Sequence, residues 1–306
     1  MESTDVIVKM TPSALCGTDL HIYHGLEGGN PPWVLSHEGW GRSEYAQVPN
    51  AQDTLIPINI TTNTTSLALE QILLSLSDNF ATGWQSLDFA GLESIAIFGA
   101  GPVGLLAALA AKVRGVPRVF SIDRIEERLS RAASIGANPI DFSHNDPVAQ
   151  IKAYETCGVS RSVDCVGMEA VDAHNYKDEG IVLRNMVDVT ASGGGIGQIG
   201  IYHAQNSSRG APFASTISLR VVFPISDFWL KCLSYRAGVV DPKPLVGKLL
   251  SLISNDRAFP NVISSSVIDI EQAPEYYKRF NAKQEIKVYI RFGERSYKDG
   301  KGIHGV

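Results

Sequence analysis

Residues 94–123 read SIAIFGAGPVGLLAALAAKVRGVPRVFSID, and this stretch decides the fold. It opens on an apolar run, Ser94 to Phe98, short enough to be a buried strand. Gly99-Ala100-Gly101-Pro102-Val103-Gly104 then forms a G-x-G-x-x-G turn, and an Ala/Leu-rich helix runs on to about Arg114. A second strand, Arg118 to Ile122, ends on Asp123, about 20 residues beyond the last glycine. Each part of this pattern has a physical job. Gly99 permits the tight turn, Gly101 lets backbone approach a pyrophosphate, and Gly104 lets the helix pack closely on its strand. The helix N-terminus, with Pro102 and Val103, offers free N–H groups and a positive dipole end to phosphates. Asp123 would accept hydrogen bonds from the adenosine ribose and repel a 2′-phosphate, which favours NAD over NADP, with Arg124 beside it softening the preference.

Outward from this unit the pattern repeats. Ile125 to Ile135 has helical spacing, and apolar strands are expected at Ser162 to Val166, Ile196 to Ile201 and Ile217 to Phe223. A helix over Asp178 to Ala191 is expected to be stopped by Gly193, Gly194 and Gly195. The tail predicts a strand from Val262, a helix over Glu271 to Phe280 and a final strand over Ile286 to Phe292. Strands alternating with helices imply an α/β fold with a doubly wound parallel sheet. Before Ser94 the chain reads differently. Residues 1–77 are rich in Gly, Pro, Asn and Thr, with short alternating pieces such as Val6 to Met10 that suggest strands and loops.

The chain has 306 residues, enough for two domains, and 44% hydrophobic against 19% charged residues argues for a packed core. A net charge of −5 makes nucleic acid or an anionic membrane an unsuitable partner. No apolar run approaches the roughly 18 residues that span a bilayer. The first ten residues carry Glu2 and Asp5 and lack the apolar core of a signal peptide, so a cytoplasmic location is expected and the sequons at Asn59, Asn63 and Asn206 should stay unmodified. The four cysteines, at 16, 157, 165 and 232, are too scattered for a disulfide framework.

Two further motifs precede the nucleotide unit: Cys16-Gly17-Thr18-Asp19-Leu20-His21, and His37-Glu38-Gly39. Taken singly, such a Cys or His is most often a core residue. Together with Asp78, they supply thiolate, imidazole and carboxylate, the donor types that zinc takes at a catalytic site with one position open.

The sequence resembles the zinc-dependent medium-chain dehydrogenases, in particular the glutathione-independent formaldehyde dehydrogenases and their fungal relatives. The stretches that carry the resemblance are CGTDLHIYHG at 16–25, His37-Glu38-Gly39, SEYAQVP at 43–49, LSDNFATG at 76–83, IAIFGAGPVGLL at 95–106, SVDCVGMEA at 162–170 and residues 272–280. The resemblance implies a Rossmann domain at 81–258 and a GroES-like catalytic β-barrel formed by 1–80 and a C-terminal return at 259–306. It implies one catalytic zinc on Cys16, His37 and Asp78, with Glu38 as a nearby exchangeable carboxylate. It also implies that Thr18 hands the proton of an alcohol toward the cofactor ribose and that His21 passes it to solvent. His24 and Trp40 are candidate pocket residues, with an ordinary loop role equally open.

Relatives of this kind begin before the point matched by Met1. They also carry a long segment between the His-Glu motif and Ser43, which here follow almost directly. That segment holds barrel strands and the cysteines of a structural zinc, so the barrel is expected to be truncated and no structural zinc is expected. The leading reading is a zinc- and NAD-dependent oxidoreductase acting on an alcohol or aldehyde, assembled as a homodimer or homotetramer through the edge strand expected at Ile217 to Phe223. Two rivals stay open. One is an NAD-retaining enzyme of a non-redox step such as dismutation, isomerisation or cyclisation. The other is a non-catalytic NAD-binding relic.

Overall fold

The computed structural model describes residues 1–30, 44–60, 65–91, 93–218 and 220–292. The chain divides into two compact units, one of Met1–Leu20, Pro32–Asp78 and Asp241–Val306, the other of His21–Pro31 and Asn79–Val240.

In the first unit, β1 (Val6–Lys9) and β2 (Pro12–Ala14) precede helix α1 (Gly17–Tyr23), along which the chain passes into the second unit. Then come β3 (Tyr45–Val48), α2 (Ala51–Thr54) and α3 (Leu67–Leu74), whose N-terminus is capped by the Ser66 hydroxyl accepting from Leu69 N–H. β1 pairs antiparallel with β3.

The second unit runs α4 (Asn79–Ala90), β4 (Ile95–Phe98), α5 (Pro102–Val113), β5 (Val119–Asp123), α6 (Glu126–Ser134), β6 (Asn138–Asp141), α7 (Pro147–Lys152), β7 (Val159–Asp164), α8 (Ile181–Val189), β8 (Thr190–Gln198), α9 (Ile225–Leu230) and β9 (Ser234–Ala237). Its six strands form one parallel sheet in the order β6-β5-β4-β7-β8-β9. This is the doubly wound arrangement, in which the order reverses between β4 and β7 and leaves a crevice beyond their carboxyl ends. Ala96 and Phe98 of β4 pack with Phe120 and Ile122 of β5 against Val148 and Ile151 of α7 and Val182, Leu183, Met186 and Val187 of α8. The alternate residues Ile95 and Ile97 are fully buried too, so β4 is covered on both faces, which is why it reads as a continuous apolar run.

The chain returns to the first unit with α10 (Lys243–Ser254), β10 (Ser266–Asp269), α11 (Ala273–Asn281) and β11 (Val288–Arg291). β11 pairs parallel with β10 and antiparallel with β2. Their core joins Met10, Leu15 and Leu20 to Tyr277, Phe280, Val288 and Ile290. Among the described residues, this unit carries a two-stranded and a three-stranded sheet.

Two expectations are corrected. Gly193 to Gly195 do not stop a helix: α8 ends at Val189, and the glycines lie inside β8. Gly193 is there for its backbone, with φ 75° and open space around it, and a Cβ on Gly194 would meet the Ser160 carbonyl oxygen at 2.6 Å, whereas further along the strand α4 lies directly on it. A Cβ on Gly195 would stand 2.3 Å from the Ala90 carbonyl oxygen, and one on Gly197 2.6 Å from that of Ser86. The segment from Ile217 to Phe223 forms no strand among its described residues. There Ser218 N–H donates to the Glu179 carboxylate, 39 residues away in sequence, and the Ser218 hydroxyl donates to the Arg220 carbonyl, bonds that no strand ladder makes. The sheet's edges are β6 and, on the side where Ile217 to Phe223 was expected, β9, whose only signal is an alternating Ser-Tyr-Arg-Ala.

Candidate active site

In the first unit, Leu15 N–H donates to the Val288 carbonyl, fixing the strand end that leads into Cys16. Asp19, 1% exposed, accepts from Cys16 N–H at 2.9 Å and from the Tyr277 hydroxyl at 3.5 Å, so the Cys16 turn is held by a buried carboxylate. Cys16 itself is buried, and its Sγ lies 3.5 Å from Asp78 Oδ2. Two such donors bound to one tetrahedral zinc, at Zn–S about 2.3 Å and Zn–O about 2.1 Å, would stand about 3.6 Å apart. The separation and the donor chemistry therefore fit two ligands of one ion. His37, Glu38 and Trp40 lie outside the described residues. Among the described residues, no group of three or more His, Cys, Asp or Glu side chains could hold a metal ion. Thr18 is half-buried on the first turn of α1.

In the second unit, the glycine turn joins β4 to α5 at the reversal of strand order. Gly99 has φ 90°, and a Cβ there would lie 2.7 Å from Val166 Cγ2, just past the end of β7. At Gly104 a Cβ would fall 1.7 Å from the Gly99 carbonyl oxygen, so only glycine admits this helix start. Pro102 is at the first position of α5, where its missing N–H costs nothing. Over Gly101 the space is open, with Arg128 Nη1 3.9 Å from a notional Cβ. A free N-terminal turn, an open cradle and an adjacent guanidinium fit the phosphates of a dinucleotide.

Asp123, 5% exposed, ends β5 and does more than wait for a ribose. Its Oδ2 accepts from Ala100 N–H at 2.8 Å, and its Oδ1 from Arg124 N–H at 2.7 Å and Ile125 N–H at 3.0 Å. It thereby ties the glycine turn to the start of α6. Arg128 Nη1 stands 3.6 Å from Asp123 Oδ2. In the sequence Arg128 carries one weak signal, a basic residue on the first turn of the helix that follows a strand-end acid. Arg124, half-buried, contributes its backbone N–H to this turn.

His21 and His24, in the same unit, both meet Glu169. His21 Nδ1 lies 2.5 Å from Glu169 Oε2, and His24 Nδ1 lies 2.7 Å from Oε1. Burial alone would raise the Glu169 carboxyl, but the hydrogen bonds and positive charges of the two histidines outweigh it and bring it down to about 2. In the sequence Glu169 stands within SVDCVGMEA at 162–170, where nothing local marks it for a role. Past β7, burial and the neighbouring Asp164 charge hold the Cys165 thiol well above its usual range, so this cysteine is no ready thiolate. Cys157 and Cys232 are exposed.

Residues 102–235 match the family of zinc-binding dehydrogenases. The chain is 33% identical over 257 residues to the glutathione-independent formaldehyde dehydrogenase of Bacillus subtilis, covering 79% of this chain and 61% of that protein. It is 30% identical over 271 residues to the formaldehyde dismutase of Pseudomonas putida, covering 83% of this chain and 65% of that one. The chain thus spans about three-fifths of the length of the first of these curated relatives. Among solved structures, the alcohol dehydrogenase TADH from Thermus sp. ATN1 superposes with a TM-score of 0.76 at 23% identity, over 95% of this chain and 93% of that one. The benzyl alcohol dehydrogenase from Acinetobacter calcoaceticus does so with a TM-score of 0.76 at 18% identity, over 96% and 93%. At these identities the superpositions speak to the fold. None of the helices among the described residues is long and apolar enough to cross a membrane.

Proposed function

Because the chain belongs to the medium-chain zinc-dependent alcohol dehydrogenase superfamily, we propose that it is an oxidoreductase that moves a hydride between NAD and an alcohol or aldehyde, with one catalytic zinc. The observation that carries this reading is the meeting of Cys16 Sγ and Asp78 Oδ2 at 3.5 Å, a thiol and a carboxyl at the spacing of neighbouring zinc ligands. His37 would complete the set, with Glu38 as an exchangeable carboxylate. In this reading residues 1–80 and 259–306 form the catalytic domain and residues 81–258 the nucleotide-binding domain.

Zinc, when bound, supplies polarisation of the substrate oxygen. The remaining work belongs to the chain. Asp19 holds the Cys16 turn through the backbone N–H, so the backbone that carries the sulfur is fixed before any ion arrives. The open backbone over Gly101 and the N-terminal turn of α5 take the pyrophosphate, and the Asp123–Arg128 pair receives the adenosine end. The Thr18 hydroxyl passes the alcohol proton on, and His21 accepts and releases it as a general base. The hydride chemistry itself is the nicotinamide's.

A second reading, aldehyde dismutation, is favoured by the 30% identity to a formaldehyde dismutase. There one aldehyde is oxidised and a second reduced on the same retained nucleotide, so no net NADH is formed. We also read the chain as a homo-oligomer. Its sheet ends on β9, whose four residues are exposed, and Trp229 and Leu230 of α9 are 75% and 68% exposed beside it.

The deciding experiment measures zinc content and NAD binding on purified protein, then screens alcohols and aldehydes by NADH absorbance with products followed by NMR. NAD-linked turnover supports a dehydrogenase. Equal amounts of acid and alcohol from an aldehyde, without net NADH, support the dismutase. Protein that binds NAD but holds no zinc after reconstitution, and turns over none of these substrates, discards the dehydrogenase mechanism and leaves a relic or an enzyme of a non-redox step.

A further inference from the structure

Both His21 and His24 engage the Glu169 carboxylate, and the backbone beside it is firmly held. Met168, 1% exposed, packs with Leu26 and Ile217, and its N–H donates to the Ile201 carbonyl at 2.9 Å. Leu26 N–H donates to the His21 carbonyl at 2.8 Å, so the residue that packs on Met168 also holds the end of α1. The backbone is thus fastened immediately beside both partners. Of the two rings, His21 is the buried one, with its side chain 8% exposed, whereas that of His24 is 30% exposed and lies edge-on to Tyr23.

We propose that Glu169 is the positioning residue for His21, accepting its Nδ1–H and so leaving Nε2 as the basic nitrogen, with His24 clamping the second carboxylate oxygen on the exposed side. This rests on the reading of His21 as the proton exit of the reaction proposed above. The argument is one of donor counting. An ionised carboxylate has only lone pairs, so the nitrogen facing it in each ring carries the hydrogen. A neutral imidazole has one N–H and one lone pair, and committing Nδ1 as donor fixes the other nitrogen as acceptor. In alcohol oxidation the proton arrives at His21 Nε2, the ring then carries two N–H groups beside a compensating negative charge, and Nε2 releases the proton to water. No electrons pass through the ring, and the reduction direction retraces the same path. With both oxygens engaged, the carboxylate cannot swing away while His21 is charged.

A purely architectural ion pair would hold α1 near the end of β7 and do nothing to the choice of nitrogen. Three measurements separate the two. In histidine ring spectra of nitrogen-labelled wild type, neutral His21 should be the Nδ1–H tautomer, and in Glu169→Ala it should become mainly Nε2–H. In kinetics, the isosteric Glu169→Gln, which also serves if the alanine variant folds poorly, should lower kcat about tenfold with zinc content and NAD affinity unchanged, and Glu169→Asp should recover part of the loss. In a His21→Ala background, the same Glu169→Gln change should cost less than about twofold, because its effect passes through that ring. An Nε2–H tautomer in the wild type, an unchanged tautomer in Glu169→Ala, or an equal loss in both backgrounds overturns the proposal. A wild type without NAD-linked turnover overturns instead the oxidoreductase reading on which it rests, and the ring spectra still decide what Glu169 does.

Discussion

Cys16 Sγ stands 3.5 Å from Asp78 Oδ2 although 62 residues separate them. Neither side chain is drawn there by hydrophobic burial alone. The Cys16 turn is tied by Asp19, and Asp78 ends a short 3-10 turn at φ −147° and ψ −81°, neither helical nor extended. Two acidic groups so placed repel each other once the thiol ionises, unless a cation lies between them. We expect about one zinc per wild-type chain by elemental analysis, none in Cys16→Ala, and a full complement with slower turnover in His21→Ala. Zinc retained in Cys16→Ala would remove Cys16 from the ligand set.

The nucleotide preference turns on Asp123. Its carboxylate would meet a 2′-phosphate with like charge, which we expect to make NAD bind at least about tenfold more tightly than NADP, about 1.4 kcal/mol. Because the same carboxylate accepts three backbone N–H groups, Asp123→Ser should shrink that gap and also destabilise the fold, by about 1–3 kcal/mol for the buried donors left unpaired. Arg128→Ala should weaken both nucleotides. Fluorescence titration of each with NAD and NADP reads all three, and equal affinities in the wild type would count against the role given to Asp123.

Glu169 makes stability depend on acid pH. Its folded carboxyl sits at about 2, below the ordinary value of 4.5, so the group contributes stability that is fully present above the unfolded value and is lost as pH falls toward 2. Urea unfolding of wild type and Glu169→Gln should therefore differ most above about pH 5 and converge near about pH 2. A difference that grows on acidification would contradict the assigned direction.

The glycines of this chain separate into those with room and those without. A Cβ on Gly195 would lie 2.3 Å from a backbone oxygen of α4, whereas one on Gly247, inside α10, meets nothing within 4 Å. Gly195→Ala should cost about 1–3 kcal/mol, since a helix backbone must shift. Gly247→Ala should add about 0.5–1 kcal/mol by removing backbone freedom from the unfolded chain. Denaturant midpoints of the two variants test the contrast directly.

That contrast also explains what was legible in the sequence. The β4 to β5 unit could be read because a strand, a turn with fixed glycine roles and a helix each leave a local signature. Gly193 to Gly195 could not, because glycine within a strand and glycine after a helix look alike until the covering helix is known. β9 escaped because an exposed edge strand has little apolar patterning, and the more apolar Ile217 to Phe223 took its place. At the site, Cys16, Thr18 and His21 announced themselves through a short motif. Glu169 did not, since its partners His21 and His24 are distant in sequence and such a pairing has no spacing to recognise, while Arg128 follows Asp123 by a short loop and helical turn that carries only a weak pattern. His37 and Glu38 lie outside the described residues, so their part in the ligand set rests on the motif.

Assembly follows from the edge that the sheet leaves open. β9 pairs only with β8 among the described residues, so one row of its backbone N–H and C=O groups is free to meet another strand. Beside it, α9 exposes Ile225, Trp229 and Leu230, and Val239 just beyond the strand is 99% exposed. An unpaired edge flanked by large apolar side chains is a liability in a monomer and is relieved when a second copy brings the same edge antiparallel to it across a two-fold axis. We expect light scattering at micromolar concentration to give twice or four times the mass of one chain. Trp229→Glu combined with Val239→Lys should shift the protein toward monomer while leaving NAD affinity in place, since neither residue touches the glycine turn. A wild type that scatters as a single chain, or a double variant that stays assembled, would move the interface away from β9.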